Sequence, residues 1–221
     1  MTKPILISIF GPDGSGKSTQ VRILARDLII RGFKVKIVWI KSYHTVAYLL
    51  SKIYEKLRRV THNAYGHVIR IDAINGRINK SIWALIEFIS ILPLVLIHVY
   101  IPMSMNRIII TERYLVDSIV SIAYTLNDPN FCSSLVAKLM LYLIPRNSIL
   151  IHLDSDYKEI LKRRGNMTDP KDFIEFQRSM YNKLSRKLGA IRIDTSKYSI
   201  EQTSEIIRSR VLKSLTSIKV H

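Results

Sequence analysis

Cysteine is almost absent from this chain: Cys132 is the only one in 221 residues, so no internal disulfide can form. A reducing compartment is expected, and Cys132 itself reads as a small core residue. Acidic side chains are scarce too, 17 Asp and Glu against 34 Lys and Arg. The resulting charge of +17 sets up an attractive field for polyanions, from nucleotides to nucleic acid and anionic lipid, without choosing among them. The bases come singly or in short groups (Lys34 and Lys36, Arg58 and Arg59, Lys162 to Arg164, Arg186 and Lys187), which argues against a nucleic-acid-binding tail. No recognised nucleic-acid module is visible, and neither a specific nucleic-acid partner nor a membrane partner is expected. A secretory signal pattern is also missing, because the apolar run after Lys3 is short and ends at Gly11. A cytoplasmic protein forming one domain over 1–221 is the expectation.

One long apolar run is present, Ile82 to Met103, interrupted by Glu87, Pro93 and His98. A membrane span would have to bury Glu87 and bend at Pro93. Helices buried in a core or subunit interface fit better, with Glu87 offered to a pocket and the helix stopping near the proline.

Against this background the stretch Gly11-Pro12-Asp13-Gly14-Ser15-Gly16-Lys17-Ser18-Thr19 stands out. It follows a β-branched apolar run, Pro4 to Phe10, and precedes apolar residues at helical spacing from Gln20 to Ile29. That is the setting of a phosphate-binding loop. The glycines let the backbone wrap an anion, and the N–H groups and dipole of the following helix add to the cradle. Lys17 supplies a point charge to β and γ phosphates, and the Ser18 hydroxyl is a ligand for a bridging Mg²⁺.

Further apolar runs predict strands at 34–40, 107–111, 148–153 and 190–194, with helical patterns between them. Such strands, separated by long helical connections, predict a five-stranded parallel sheet flanked by helices, an α/β class. Ligands of such sheets bind beyond the carboxyl ends of the strands. There lie the loop after the first strand, Glu112-Arg113-Tyr114 after the third and Asp154 after the fourth. The Glu112-Arg113 pair reads as a second anion site, or as a structural ion pair.

These residues resemble the thymidylate kinases and related P-loop nucleoside monophosphate kinases over most of the chain. The family loop G-x-D-G-x-G-K-S/T-T-Q is matched by Gly11 to Gln20, and its D-R-Y signature begins here as Glu112-Arg113-Tyr114. The resemblance implies a P-loop NTPase fold with a small mobile lid at about 160–174. It implies MgATP as phosphoryl donor, bound by Gly11, Asp13, Gly14, Ser15, Gly16, Lys17, Ser18 and Thr19, with Asp194 and Thr195 beside the adenine. Asp13, Arg77, Glu112, Arg113 and Tyr114 would hold the acceptor, Arg113 gripping its phosphate. Ser18 and Glu112 would attend the Mg²⁺. Lys17, Arg113 and the lid residues Arg163 and Arg164 would be catalytic, Lys162 being a weaker candidate. A homodimer through residues 82–101 and 116–124 is implied as well.

The pattern is departed from at Phe10, where the family often has Glu, at Glu112 in place of Asp, and at Ala73, where an aromatic four residues before Arg77 would stack on the base. Arg70, Asp72, Asn75 and Arg77 are polar candidates on that segment. The expected activity is transfer of the γ-phosphoryl of MgATP to a (deoxy)nucleoside monophosphate, dTMP foremost. The alternatives are a related kinase with another monophosphate or a deoxynucleoside as acceptor, and a non-kinase ATP-dependent switch on nucleic acid or membrane.

Overall fold

The computed structural model describes residues 5–40, 77–165 and 169–217. Five strands, β1 (Leu6–Phe10), β2 (Val35–Trp39), β3 (Ile108–Arg113), β4 (Ser148–Asp154) and β5 (Ile191–Asp194), form one all-parallel sheet in the order β2-β3-β1-β4-β5. β1 is buried at every position because it is central and covered on both faces, which is why it reads as an unbroken apolar run. The expected five-stranded parallel sheet flanked by helices is present, each strand within two residues of its expected place.

Side chains of β1 alternate between two cores. Leu6 and Phe10 face one layer with α4 (Leu115–Thr125), α5 (Leu135–Tyr142) and α7 (Lys171–Leu188). Ile5, Ile7 and Ile9 face the other, with α1 (Lys17–Ile30) and α8 (Ile200–Ser217). The chain therefore leaves β1 toward one face and leaves its neighbour β3 toward the opposite face. Adjacent strands whose connections part in this way open a crevice at their carboxyl ends. The remaining short helix, α6 (Tyr157–Arg164), starts on an Asp156 cap that accepts the Glu159 N–H at 2.8 Å.

The long apolar run departs from its expected form. α2 (Arg77–Val95) passes through Pro93 and leads into a π turn at Leu96–Tyr100 and a last short helix, α3 (Ile101–Ser104). Pro93 has no N–H to give the Ile89 carbonyl, and the ladder widens to π spacing one turn later instead of ending. Trp83, Ala84, Ile91, Val95 and Val99 are buried on the first core, whereas Ile82, Leu85, Ile89, Leu96, Ile97 and Ile101 are exposed. This is the one helix among the described residues long and apolar enough to cross a membrane. Glu87 is buried, its Oε2 without a hydrogen-bond partner among the described residues, and it does not line the site cavity, so it does not present a carboxylate there.

Candidate functional site

A cavity of about 680 Å³ lies at the carboxyl edge of the sheet, floored by residues 13–20 and walled by Glu112, Arg113, Arg163 and Thr195. Its floor turns on glycine. Gly11 has φ +147, and a side chain there would collide with the Leu153 carbonyl of β4. Gly16, at φ 89, starts α1 and has no side chain with which to cap it, so a bare helix N-terminus borders the cavity.

Lys17 is buried and folds back over the loop. Its Nζ donates to the carbonyls of Gly11 and Pro12, both at 2.7 Å, and approaches Asp13 Oδ1 at 3.4 Å. Burial pulls its pKa down, while the Asp13 carboxylate opposes that shift. The same Asp13 oxygen receives Arg113 Nη2 from the end of β3. Burial lowers the Arg113 pKa as well, but Asp13, Asp117 and Tyr181 outweigh it and hold the guanidinium above its ordinary value. Beside this pair the Ser18 hydroxyl donates to Glu112 Oε1. Two hard oxygen donors thus meet at the start of α1, a donor set that suits Mg²⁺ sharing its shell with phosphates and water. Among the described residues no cluster of three or more His, Cys, Asp or Glu is placed to hold a metal on its own.

The far wall comes from α6 and the turn after β5. Arg163 donates to the Thr195 carbonyl at 2.6 Å, to Thr195 Oγ1 at 3.1 Å and to the Gly14 carbonyl at 3.3 Å, with Glu159 at 3.2 Å behind it. Arg164 packs its aliphatic stem against Gly14, at 3.0 Å from where a side chain would begin, and pairs with Asp169 at 3.1 Å. The Thr195 hydroxyl lies 3.2 and 3.0 Å from the Ser15 and Asp154 carbonyls, which share its one hydrogen, joining β4, β5 and the glycine-rich loop.

The structure therefore brings together Asp13, Gly14, Ser15, Gly16, Lys17, Ser18, Thr19, Glu112, Arg113, Arg163, Arg164 and Thr195. Five expected residues do not line the cavity, the first being Gly11, which is buried beneath its floor. Tyr114 is a core residue: its ring is buried and its hydroxyl donates to the Leu143 carbonyl at 3.2 Å, because the chain turns into α4 at this position. Asp194 is held in its own turn by the Ser196 N–H and hydroxyl, at 3.1 and 2.8 Å. Asp154 points away from the cavity, accepting from Arg178 at 2.9 and 3.2 Å and from Arg192 at 2.7 Å. Lys162 is exposed and does not line the cavity. Arg77 opens α2, but its side chain lies outside the described residues, as do Arg70, Asp72, Ala73 and Asn75.

Behind the cations lies a layer the sequence did not reveal. Asp117 is buried, accepts the Tyr114 N–H at 3.0 Å and accepts the Tyr181 hydroxyl at 2.9 Å. Burial raises its pKa, with Arg113 and Lys17 pulling the other way. An acid three residues after Tyr114 was a readable signal, since that is the N3 position of a capped helix. Tyr181, 64 residues away, carried none. No family model matches the chain, and no curated protein matches it.

Proposed function

We propose that the chain is a P-loop nucleoside monophosphate kinase, moving the γ-phosphoryl of MgATP to a (deoxy)nucleoside monophosphate in the cytoplasm, with dTMP the first acceptor to test. The observation that carries this reading is the convergence of Lys17 and Arg113, one from each side of the crevice, on a single carboxylate at the cavity floor. One cation beside a helix N-terminus suffices for a donor triphosphate. A second, planar cation at the end of the neighbouring strand has a use when another phosphate must lie in line with the first.

In this mechanism residues 13–19 hold the donor phosphates with main-chain N–H groups. Lys17 leaves the loop carbonyls to reach the transferring group, and Arg113 exchanges Asp13 for the acceptor phosphate. Ser18 and Glu112 would hold a Mg²⁺ ion, which would supply charge neutralisation to the donor phosphates. An acceptor phosphate oxygen is already anionic near neutral pH, so no general base is required, and alignment and charge screening do the work. Arg163 and Arg164, on a short helix beside Gly14, form the lid side, shutting out water that would hydrolyse the donor.

The test is coupled ADP release with TMP, dUMP, UMP, CMP, AMP and GMP offered separately. Strict dependence on a monophosphate is expected, with TMP fastest. Arg113→Ala and Lys17→Ala should each reduce turnover at least a few hundredfold, since each removes roughly 3 kcal/mol of charge stabilisation from a dry site. ATP hydrolysis that needs no acceptor, or near-normal rates in either variant, would remove the kinase reading.

A further inference from the structure

The outer face of α2 is an apolar stripe on a highly basic molecule. Ile82, Leu85, Ile89, Leu96, Ile97 and Ile101 recur at helical spacing along it and are each 46–56% exposed. α5 lies alongside, tied by the Tyr100 hydroxyl donating to the Leu143 carbonyl at 3.1 Å, and it adds exposed Leu135, Leu139 and Tyr142. The inner face of α2 is packed into the protein core and the helix lies along the body of the protein, and among the described residues no element covers its outer side.

Charge decides what covers that side. From Arg77 to Thr111, and again from Pro129 to Leu153, the only acidic residue is Glu87, which is buried. The same two stretches carry exposed Arg107, Lys138 and Arg146, with Lys80 half-buried at the head of the stripe. A second copy docked face to face would bring these cations together with no exposed acid from either stretch to meet them, on molecules that each carry +17. An anionic lipid surface accepts both features, taking the apolar side chains to the depth of the headgroup boundary and pairing the bases with its phosphates and carboxylates.

We propose that the α2–α5 face docks this protein on an anionic membrane surface, lying in the interface without crossing the bilayer. The face is separate from the cavity residues, and the proposal stands whether or not the chain is a kinase.

Flotation of the full chain with phosphatidylcholine vesicles, with and without phosphatidylserine, tests it. Binding is expected with phosphatidylserine, weakening as salt rises, and the double variant Ile89→Glu, Ile97→Glu should reduce the bound fraction by about tenfold or more with its circular dichroism intact. A depth probe covers the case in which that variant misfolds. Leu85→Cys labelled with an environment-sensitive dye should shift to the blue on phosphatidylserine vesicles, and a label at Ile30→Cys on α1, beyond the opposite side of the sheet, should not; Cys132 is buried and does not compete for dye. Three results would overturn the proposal. One is no binding to phosphatidylserine vesicles; another is binding with no shift at position 85. The third is a two-chain mass in solution that the double variant reduces to one, which would assign the face to a second copy.

Discussion

The fold resists the ionisation of Glu87. Burial pushes its carboxyl up to about 8, so it stays protonated near neutrality among apolar neighbours. The unfolded chain releases this proton at the ordinary carboxylate range, whereas the native state holds it to about 8. The native state therefore loses stability as pH rises through that window. Glu87→Gln should flatten this fall: between pH 5 and pH 8 the wild-type Tm should drop by about 5 °C or more beyond the drop of the variant, measured by thermal denaturation. His152 behaves in the opposite sense. It stacks on Phe10 at 5.4 Å, both its nitrogens lack hydrogen-bond partners among the described residues, and burial depresses its pKa to about 4. The unfolded chain takes up a proton that the native state refuses between about 6.5 and 4, so stability falls as the solution is acidified through that range. His152→Phe should make the Tm less sensitive to pH there. A parallel decline in variant and wild type would show that His152 is not the group responsible.

At the scale of elements, the parallel strands were legible because central strands covered on both faces must be apolar at every position, and glycine marked the ends before β2 and β5. The loop from Gly11 to Thr19 was legible because its glycines, lysine and hydroxyls are consecutive. Ser18 with Glu112 and Asp13 with Arg113 could be placed together only through strand order, which brings β3 beside β1. Asp117 with Tyr181 and Asp154 with Arg178 remained hidden, since helix α7 supplies the second partner and no local pattern registers α7 against α4 or β4. The Asp154 cluster has a measurable part in holding these elements. Burial raises its pKa, but hydrogen bonds from Arg178 and Arg192 prevail and hold it below the ordinary value. Its contribution is complete above about pH 3.9 and fades as pH falls through the lowered native pKa. Asp154→Asn should destabilise the protein by about 3 kcal/mol near neutral pH, read from urea unfolding, because two arginines lose their shared anion. On α6, Arg163 is fastened to Thr195 while Arg164 leans over Gly14. If the proposed kinase function holds, Arg163→Ala and Arg164→Ala together should lower turnover more than nucleotide affinity, and unchanged turnover in steady-state assays would refute a lid role for this helix.

Across the whole molecule the sheet divides two kinds of surface. The layer of α1 and α8 is mixed in charge, with Asp27, Glu201 and Glu205 beside Arg26 and Arg208. The layer of α2 and α5 is apolar and basic. The cavity opens at the edge between them, and the summed field of +17 reaches it from the whole body. Under the proposed function, association with a nucleotide should slow markedly as ionic strength rises from about 0.01 to 0.15 M, over which the Debye length contracts from about 30 to 8 Å. Stopped-flow binding of a fluorescent ATP analogue would show this as a falling association rate with a much less affected dissociation rate.

The single carboxylate of Asp13 has a further consequence for the resting protein. Two cations held close in a recess would repel each other and splay apart, and in the proposed kinase the geometry needed for transfer would have to be rebuilt at every encounter. Asp13 is the shared counter-ion of the pair, and under the proposed function it would yield each of them to an arriving phosphate. Neutralising it should therefore slow the first productive encounter more than the steps that follow.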